Sequence, residues 1–331
     1  MSGRRPVPRF AVRPYARGVQ AIVATPDGPG FTERREVPPP EPADDETLVA
    51  VRAFGVNRGE LTLVRMRGGG WQPGQEIAGV VIRQAADGSG PHAGTRVAGL
   101  ADWHGWAEEA AVPSHRLAAI PEGVDFTVAA ALPMAGTTAA NLVRADGALL
   151  GARVLVTGAS GGVGHIAVQL AALGGARVTA VASEKRAGAL RDRGAHEVVA
   201  DPSAAGGPFD LILESVGGAS LAAAFERVAP RGLIVVFGNS SREPAPLDFR
   251  TFFGHEEAAV RSYFSALHEA DAGRNIAMLL DLVADGRLHV DIGMQADWSR
   301  LNDVLEALDG RRFAGKAVLT IGGADGDGDG A

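Results

Sequence analysis

A glycine-rich turn carries the clearest chemistry in this chain. The segment VLVTGASGGVGHIAVQLAALGG (154–175) passes from a hydrophobic strand pattern through glycines into a helical pattern. Glycines there allow a tight turn and close approach of backbone to phosphate, while the helix N-terminus offers unpaired N–H groups and a positive dipole end. An ordinary glycine-rich turn is the alternative, but the complete strand–turn–helix–strand context favours a dinucleotide site at Ser160, Gly161, Gly162 and Val163.

The end of the next strand pattern bears on which dinucleotide binds. An acidic residue there commonly bonds the ribose hydroxyls of NAD. Here the strand ARVTAVAS is followed by Glu184, Lys185 and Arg186. Ser183 can donate to a 2′-phosphate, and Arg186 can pair with it through its planar guanidinium. The sequence favours NADPH, although Glu184 lies one step from the position of the NAD-type acid and Lys185 and Arg186 could be solvated helix residues.

The stretch PGQEIAG (73–79) raises the question of a metal. A Gly-x-Glu turn with His at the middle position commonly holds a catalytic metal, but here that position is Gln75. Cysteine is absent from the chain, which excludes thiolate ligands, disulfides and cysteine nucleophiles. His104, His115 and His255 are scattered, so the sequence predicts no metal site.

Two rhythms along the chain indicate the elements that position these residues. From 19 to 122, short strand-length runs are separated by Gly and Pro, with no long helical pattern between them. A helical stretch follows, and then strand and helix patterns alternate, which is typical of a parallel sheet with right-handed crossovers. Helix and strand patterns after AAVRSYFS (258–265) close the chain.

Composition limits the classes of function. The chain has 331 residues, 46% of them hydrophobic, and a net charge of −7 that argues against nucleic-acid binding. No window approaches 18 unbroken apolar residues, so we expect no membrane span and a cytoplasmic location. Residues 1–18 are basic and interrupted by proline, which favours a disordered arm over a targeting peptide. Residues 324–331 are expected to be a disordered tail.

With these motifs in order, the chain resembles the medium-chain dehydrogenase/reductase superfamily, specifically its zinc-independent quinone oxidoreductase and enoyl reductase branch. The resemblance extends over about 19–322 and is carried by FGVNRGEL, PGQEIAGVV, AALPMAGTTA, GASGGVGHIAVQLA, LESVGG and RRFAGKAVL. It implies an α/β protein in which a GroES-like β-rich catalytic domain (19–122 and 266–323) is split by an inserted Rossmann domain (123–265), with the active site between them. It also implies a homodimer.

The same resemblance implies how the site differs from that of zinc-dependent relatives. The positions that hold the metal in those relatives carry Asn57, Gln75 and Met134 here. An amide is a poor zinc ligand and a thioether suits softer metals. Glu60 and Glu76 remain, but two carboxylates without His or thiolate seldom hold zinc.

Further site residues are implied by the resemblance alone. Asn57 would lie beside the nicotinamide ribose and the substrate oxygen, unless it only caps a turn. Thr137 would lie near the nicotinamide carboxamide. Val216, Gly238 and Asn239 belong to loops that would run along the cofactor. Lys316 has a family-typical position, for which we expect packing or cofactor contact only.

Without a Lewis acid, an ordinary carbonyl is a poor hydride acceptor, whereas a conjugated C=C bond spreads the incoming charge onto oxygen. The sequence therefore predicts an NADPH-dependent reductase of an activated alkene, enoyl compound or quinone. A reductive cyclase and a low-turnover cofactor-binding protein are the alternatives. Tyr263 and His104 are the candidate proton donors, although Tyr263 also fits a core aromatic, His104 a surface loop, and solvent can supply the proton.

Overall fold

Two sheets built from different stretches of the chain organise the molecule. The computed structural model describes residues 18–25, 27 and 30–322, so the predicted arm (apart from Gly18) and tail lie outside the described residues. The strands are β1 (Val19–Ala24), β2 (Thr32–Val37), β3 (Glu46–Val56), β4 (Glu76–Arg83), β5 (Arg96–Leu100), β6 (Glu109–Pro113), β7 (Leu117–Ala119), β8 (Arg153–Val156), β9 (Arg177–Val181), β10 (Glu197–Val199), β11 (Phe209–Glu214), β12 (Val228–Val236), β13 (Ala259–Ser262), β14 (Ile292–Asp297) and β15 (Lys316–Thr320).

Helices connect and cover these strands. They are α1 (Arg58–Met66), α2 (Phe126–Ala130), α3 (Pro133–Val143), α4 (Gly164–Leu173), α5 (Ala187–Asp192), α6 (Gly218–Phe225), α7 (Ala272–Ala284) and α8 (Leu301–Asp309). Within the described residues, no helix has the length and apolar character needed to span a bilayer.

The first sheet is wholly parallel and has the order β10-β9-β8-β11-β12-β13. This is the Rossmann order, in which the direction of winding reverses between the first and fourth strands of the unit, here β8 and β11. Loops that follow those two strands diverge from each other and leave a crevice at their carboxyl ends. The predicted nucleotide turn follows β8, and the segment of Val216 follows β11, so both lie at this crevice.

The second sheet has the order β14-β15-β3-β4-β5-β7, with β6 also paired to β3. Its strands come from both ends of the described chain, because β15 pairs antiparallel with β3 across more than 250 residues of sequence. The predicted GroES-like domain split by a Rossmann domain is therefore confirmed as the fold. The division into 19–122 with 266–323 on one side and 123–265 on the other remains a proposal.

The patterning missed one helix and merged two others. Helix α1 was not predicted, because it has only nine residues and Leu61 and Val64 are its only buried apolar residues. The helical pattern from 122 to 143 forms two helices, α2 and α3, since Pro133 lacks the N–H that a continuous helix needs and instead begins α3.

Candidate active site between the two sheets

The glycine-rich turn has the backbone geometry of a phosphate-binding loop. Gly158 has φ +57°, which glycine adopts without the steric cost of a side chain. At Gly164 a Cβ atom would lie 2.4 Å from the carbonyl oxygen of Gly158 and 2.7 Å from Cα of Ala159. The turn therefore closes tightly on the first residue of α4, whose preceding residue is Val163. The N–H groups at the start of such a helix are suited to binding a pyrophosphate.

Loops from the ends of β11 and β12 complete the crevice beside this turn. The backbone N–H of Ser215 donates to Oγ1 of Thr157 at 2.9 Å. The buried carboxylate of Glu214 accepts the N–H groups of Val216 and Gly217 at 3.1 and 3.0 Å. These bonds fix the backbone of the predicted cofactor loop.

Gly238 and Asn239 follow β12 in the same crevice. The N–H of Ser240 donates to the carbonyl of Ser215 at 3.0 Å, which joins the two loops. The side chain of Asn239 accepts from the hydroxyl of Ser241 at 3.0 Å. The structure thus brings the predicted cofactor residues of three loops together at the carboxyl edge of the parallel sheet.

A buried histidine ties the turn to the other sheet. His165 in α4 is fully buried, and burial lowers the pKa of its imidazole. The neutral ring donates from Nδ1 to the carbonyl of Gly161 at 2.8 Å and accepts at Nε2 the N–H of Asp291 at 3.1 Å. The carbonyl of Asp291 in turn accepts the N–H of Lys316, and the N–H of Gly315 donates to the carbonyl of Ser160, both at 2.8 Å. These hydrogen bonds therefore fix the position of the turn relative to the start of β15.

The predicted adenosine-side residues lie at the end of β9. That strand ends at Val181, and Ser183 precedes a short 3₁₀ helix of Glu184–Arg186. Ser183 and Lys185 are exposed and Arg186 is half-buried. No carboxylate of the described chain forms an ion pair with Lys185 or Arg186, which leaves both cations available to a phosphate.

Asn57 lies in a buried polar network at the end of β3. Its side-chain oxygen accepts from Nζ of Lys316 at 2.6 Å, and its Nδ2 donates to Oε1 of Glu76 at 2.7 Å. Lys316 also donates to that same Glu76 oxygen at 2.5 Å. Because an ammonium group cannot accept a hydrogen bond, the contact determines which way the Asn57 amide faces. Lys316, for which the sequence predicted packing or cofactor contact only, is the cation that orders this site.

Glu60 is the second buried carboxylate of the network. Its oxygens accept the backbone N–H groups of Asn57 at 2.9 Å and Gln75 at 2.8 Å. Burial, together with repulsion by Glu76, raises the pKa of Glu60 to about 8, against the opposing effect of those two N–H donors and of Lys316. Two buried carboxylates therefore lie near one ammonium group, which bonds Glu76 directly, and a proton on Glu60 relieves the excess negative charge.

This proton predicts a pH-dependent stability. The folded state binds it more tightly than the unfolded state, so the contribution is complete below pH 4.5 and is lost as pH rises towards 8. We expect the free energy of unfolding to fall over this window by up to about 1.4 kcal/mol per pH unit relative to a Glu60→Gln variant. Denaturant unfolding of both proteins at a series of pH values measures the difference. Parallel pH profiles of the two proteins would contradict it.

The residues here do not fit a zinc ion. Asn57 Oδ1 and Glu76 Oε1 both accept from the ammonium of Lys316. Gln75 offers an amide and Met134 a thioether, and the Met134 backbone N–H donates to Oε2 of Glu76 at 2.8 Å. Lys316 thus places a fixed positive charge against the oxygens that a metal would require.

Three other predicted residues lie apart from this network. The hydroxyl of Thr137 donates to the carbonyl of Pro133 at 2.5 Å, one turn into α3 from Met134. Tyr263 follows β13 at the sheet edge, where its hydroxyl accepts from Asn141 at 3.2 Å and its ring stacks on His268. His104 is exposed on the loop after β5. Tyr263 and His104 lie in different parts of the structure, and their roles as proton donors stay predictions.

The sequence did not predict that several residues organise the site. One signal for Lys316 was present, because it is one of only two lysines in a chain whose other basic residues are arginine and histidine. Glu60 follows Asn57 by three residues, the spacing at which an acid returns to the N-cap of a helix. His165 and Glu214 had no such signal, since Asp291, which bonds His165, and Thr157, which bonds Glu214, lie far away in the sequence.

Several known proteins are similar to this chain in sequence or in fold. A family profile described as zinc-binding dehydrogenase matches residues 162–281. This span does not include Asn57, Gln75 or Met134, the positions at which zinc-dependent relatives carry their metal ligands. The spectinabilin polyketide synthase system protein NorB of Streptomyces orinoci is 33% identical over 336 residues, which cover 96% of this chain and 15% of that protein. This chain therefore spans a small part of that relative's length.

Two further relatives are similar in length to this chain. The quinone oxidoreductase of Pseudomonas aeruginosa is 34% identical over 234 residues, which cover 65% of this chain and 71% of that protein. The structure of Escherichia coli quinone oxidoreductase complexed with NADPH has a TM-score of 0.79 and 21% identity, covers 92% of this chain and 100% of that chain, and supports the fold alone. On the P. aeruginosa match, this chain belongs to the quinone oxidoreductase branch of the medium-chain dehydrogenase/reductase superfamily of oxidoreductases.

Proposed function

We propose that this protein is an NADPH-dependent reductase of a quinone or of a C=C bond conjugated to a carbonyl. The observation that carries the proposal is the contact between Lys316 and Glu76 beside Asn57, which puts an ammonium group against one of the positions that the resemblance assigns to the metal ligands of zinc-dependent relatives. Bound NADPH supplies a hydride from its nicotinamide ring. The side chains then have to position the acceptor and stabilise the charge that develops on its oxygen.

Asn57 is proposed to contact the substrate oxygen or the nicotinamide ribose. Its Nδ2 has one close acceptor, Glu76 at 2.7 Å, and one distant acceptor, Glu60 at 3.4 Å. The weakly bound second hydrogen is available to a substrate oxygen. Because Lys316 holds the amide oxygen, the donor is oriented before substrate arrives, and such preorganised donors stabilise developing charge effectively. Solvent, His104 or Tyr263 is the proposed source of the proton that completes the reduction.

The cofactor preference follows from the end of β9. Ser183 and Arg186 are proposed to bind the 2′-phosphate that distinguishes NADPH from NADH. Replacing both with Ala is expected to raise the KM for NADPH by about a hundredfold or more, since two charge-assisted contacts of about 1.5–3 kcal/mol each are lost. The KM for NADH should change by less than about twofold, because NADH lacks the phosphate. Equal losses for the two cofactors would overturn this assignment.

The reaction itself is tested with purified protein, NADPH and a panel of enones, enoyl thioesters and quinones. Oxidation of NADPH with one or more of them, abolished by denaturing the enzyme, is the expected result. Binding of NADPH without oxidation across the panel would favour the alternative of a low-turnover cofactor-binding protein. Ring-containing products, identified by mass spectrometry and NMR, would favour a reductive cyclase.

A homodimer is also proposed. Strand β13 forms one edge of the parallel sheet, and all four of its residues are exposed, including Val260. Phe264 and Leu267, just beyond it, are 68% and 80% exposed. An unpaired edge beside exposed apolar side chains is a natural site for pairing with a second copy. Sedimentation of the purified protein tests it.

A further inference from the structure

The rim of the site carries an aromatic and cationic cluster formed by Arg67, Trp71 and Trp103. The two indole rings have their centroids 5.1 Å apart at an interplanar angle of 59°. The guanidinium carbon of Arg67 lies 5.1 Å from the Trp71 ring centroid and 5.7 Å from that of Trp103. Two half-buried rings and one exposed cation thus form a single surface.

This cluster is joined directly to the Asn57 network. Glu76 pairs with Leu100 in the second sheet, and the next residues continue the ladder, with the N–H of Ala101 donating to the carbonyl of Gln75 at 2.8 Å. Further bonds run from 104–106 to 72–74. Trp103 lies two residues beyond Ala101, so the Cα atoms of these two residues are at most about 7 Å apart. The rings therefore lie near the end of β5 at which Leu100 pairs with Glu76.

The loop that presents Trp103 has an unfavourable backbone. Trp103 and His104 have φ +87° and +62°, a region that favours glycine and that bulky side chains rarely adopt. Strained backbone of this kind concentrates at ligand sites, where surrounding contacts hold it in place. Here the ladder to 72–74 supplies those contacts.

Arg67 carries a positive charge that the described part of the chain does not neutralise. Among the described residues, no carboxylate forms an ion pair with it, and the nearby Asp102 is instead paired with Arg116. Stacking on the rings leaves the edges of its guanidinium free to bind a carboxylate or another planar anion in two-point fashion. Met66, 76% exposed on the same helix end, adds apolar surface.

From this geometry we infer that the preferred substrate is a flat, aryl-conjugated enone or quinone that carries an anionic group. Its planar part packs on Trp71 and Trp103, and Arg67 binds the anion. The inference rests on the reductase activity proposed above and names the substrate class of that same site.

The test compares benzylideneacetone bearing a para-carboxylate, its methyl ester and an aliphatic pentenone. The carboxylate is expected to be the best substrate. Arg67→Gln should raise its KM by about tenfold and leave the ester within about twofold. Trp103→Leu should raise the KM of both aryl enones relative to the KM of the pentenone. Arg34→Gln is the matched control, because Arg34 stacks on a different ring, with its guanidinium carbon 5.5 Å from the centroid of Trp298. This substitution should leave the KM of all three substrates unchanged.

A binding measurement separates this inference from the proposed reaction. The saturated carboxylate analogue is titrated by calorimetry into wild-type protein and Arg67→Gln. If the analogue binds wild type more tightly than Arg67→Gln but no enone oxidises NADPH, the binding site is supported and the reductase activity is refuted. Turnover with equal KM for carboxylate and ester, unchanged by Arg67→Gln, would overturn the substrate class and leave the reductase intact.

Discussion

Replacing Lys316 with Met is expected to destabilise the folded protein by about 3–5 kcal/mol, because it leaves buried carboxylates without their cation. Glu76 has no exposed surface, and Lys316 is 3% exposed. With the ammonium group removed, the negative charge of Glu76 is no longer compensated and the Asn57 amide loses the donor to its oxygen. Denaturant unfolding measures the stability, and NADPH oxidation with a quinone is expected to fall further than the folded fraction does.

A double variant isolates the electrostatic part of this effect. Glu76→Gln combined with Lys316→Met removes both charges of the pair, so it should be more stable than Lys316→Met alone. Lys185→Met is the matched stability control, since Lys185 is the only other lysine and is exposed, and its effect should stay within about 0.5 kcal/mol. A Lys316→Met protein as stable as wild type would refute the network as described.

Replacing Gly164 with Ala is expected to lower kcat/KM for NADPH by about a hundredfold, as misplacement of a binding loop by about 1 Å does elsewhere. The added Cβ would lie 2.4 Å from one backbone atom of the turn and 2.7 Å from another. Neither atom belongs to a flexible side chain, so the turn itself has to move. Steady-state kinetics and direct titration of NADPH check the result.

Gly188→Ala provides the comparison for this substitution. Gly188 lies in α5, and a Cβ there meets nothing within 4 Å. Ala is therefore expected to leave NADPH affinity unchanged and to stabilise the helix by about 0.5–1 kcal/mol. If Gly164→Ala binds NADPH within twofold of wild type, the tight closure of the turn is not required for binding.

The sequence by itself determined the features that depend on neighbours along the chain. The glycine turn at 158–164 is set by local steric freedom and by the strand and helix on either side, so its position was predictable. Alternating patterns predicted the parallel sheet, and the ordered motifs predicted the split second domain. The absence of cysteine excluded thiolate chemistry without any structure.

Only the tertiary structure decided the polar network and the rim. Lys316 and Glu76 are 240 residues apart, and they meet because β15 returns to pair with β3 beside β4. The bond from His165 to Asp291 likewise joins an element of each sheet. No local pattern encodes such contacts, since a side chain's partner across a sheet depends on strand order and register. Burial then gives these few charges their effect, because low-dielectric surroundings strengthen every pairing and penalise every unpaired group.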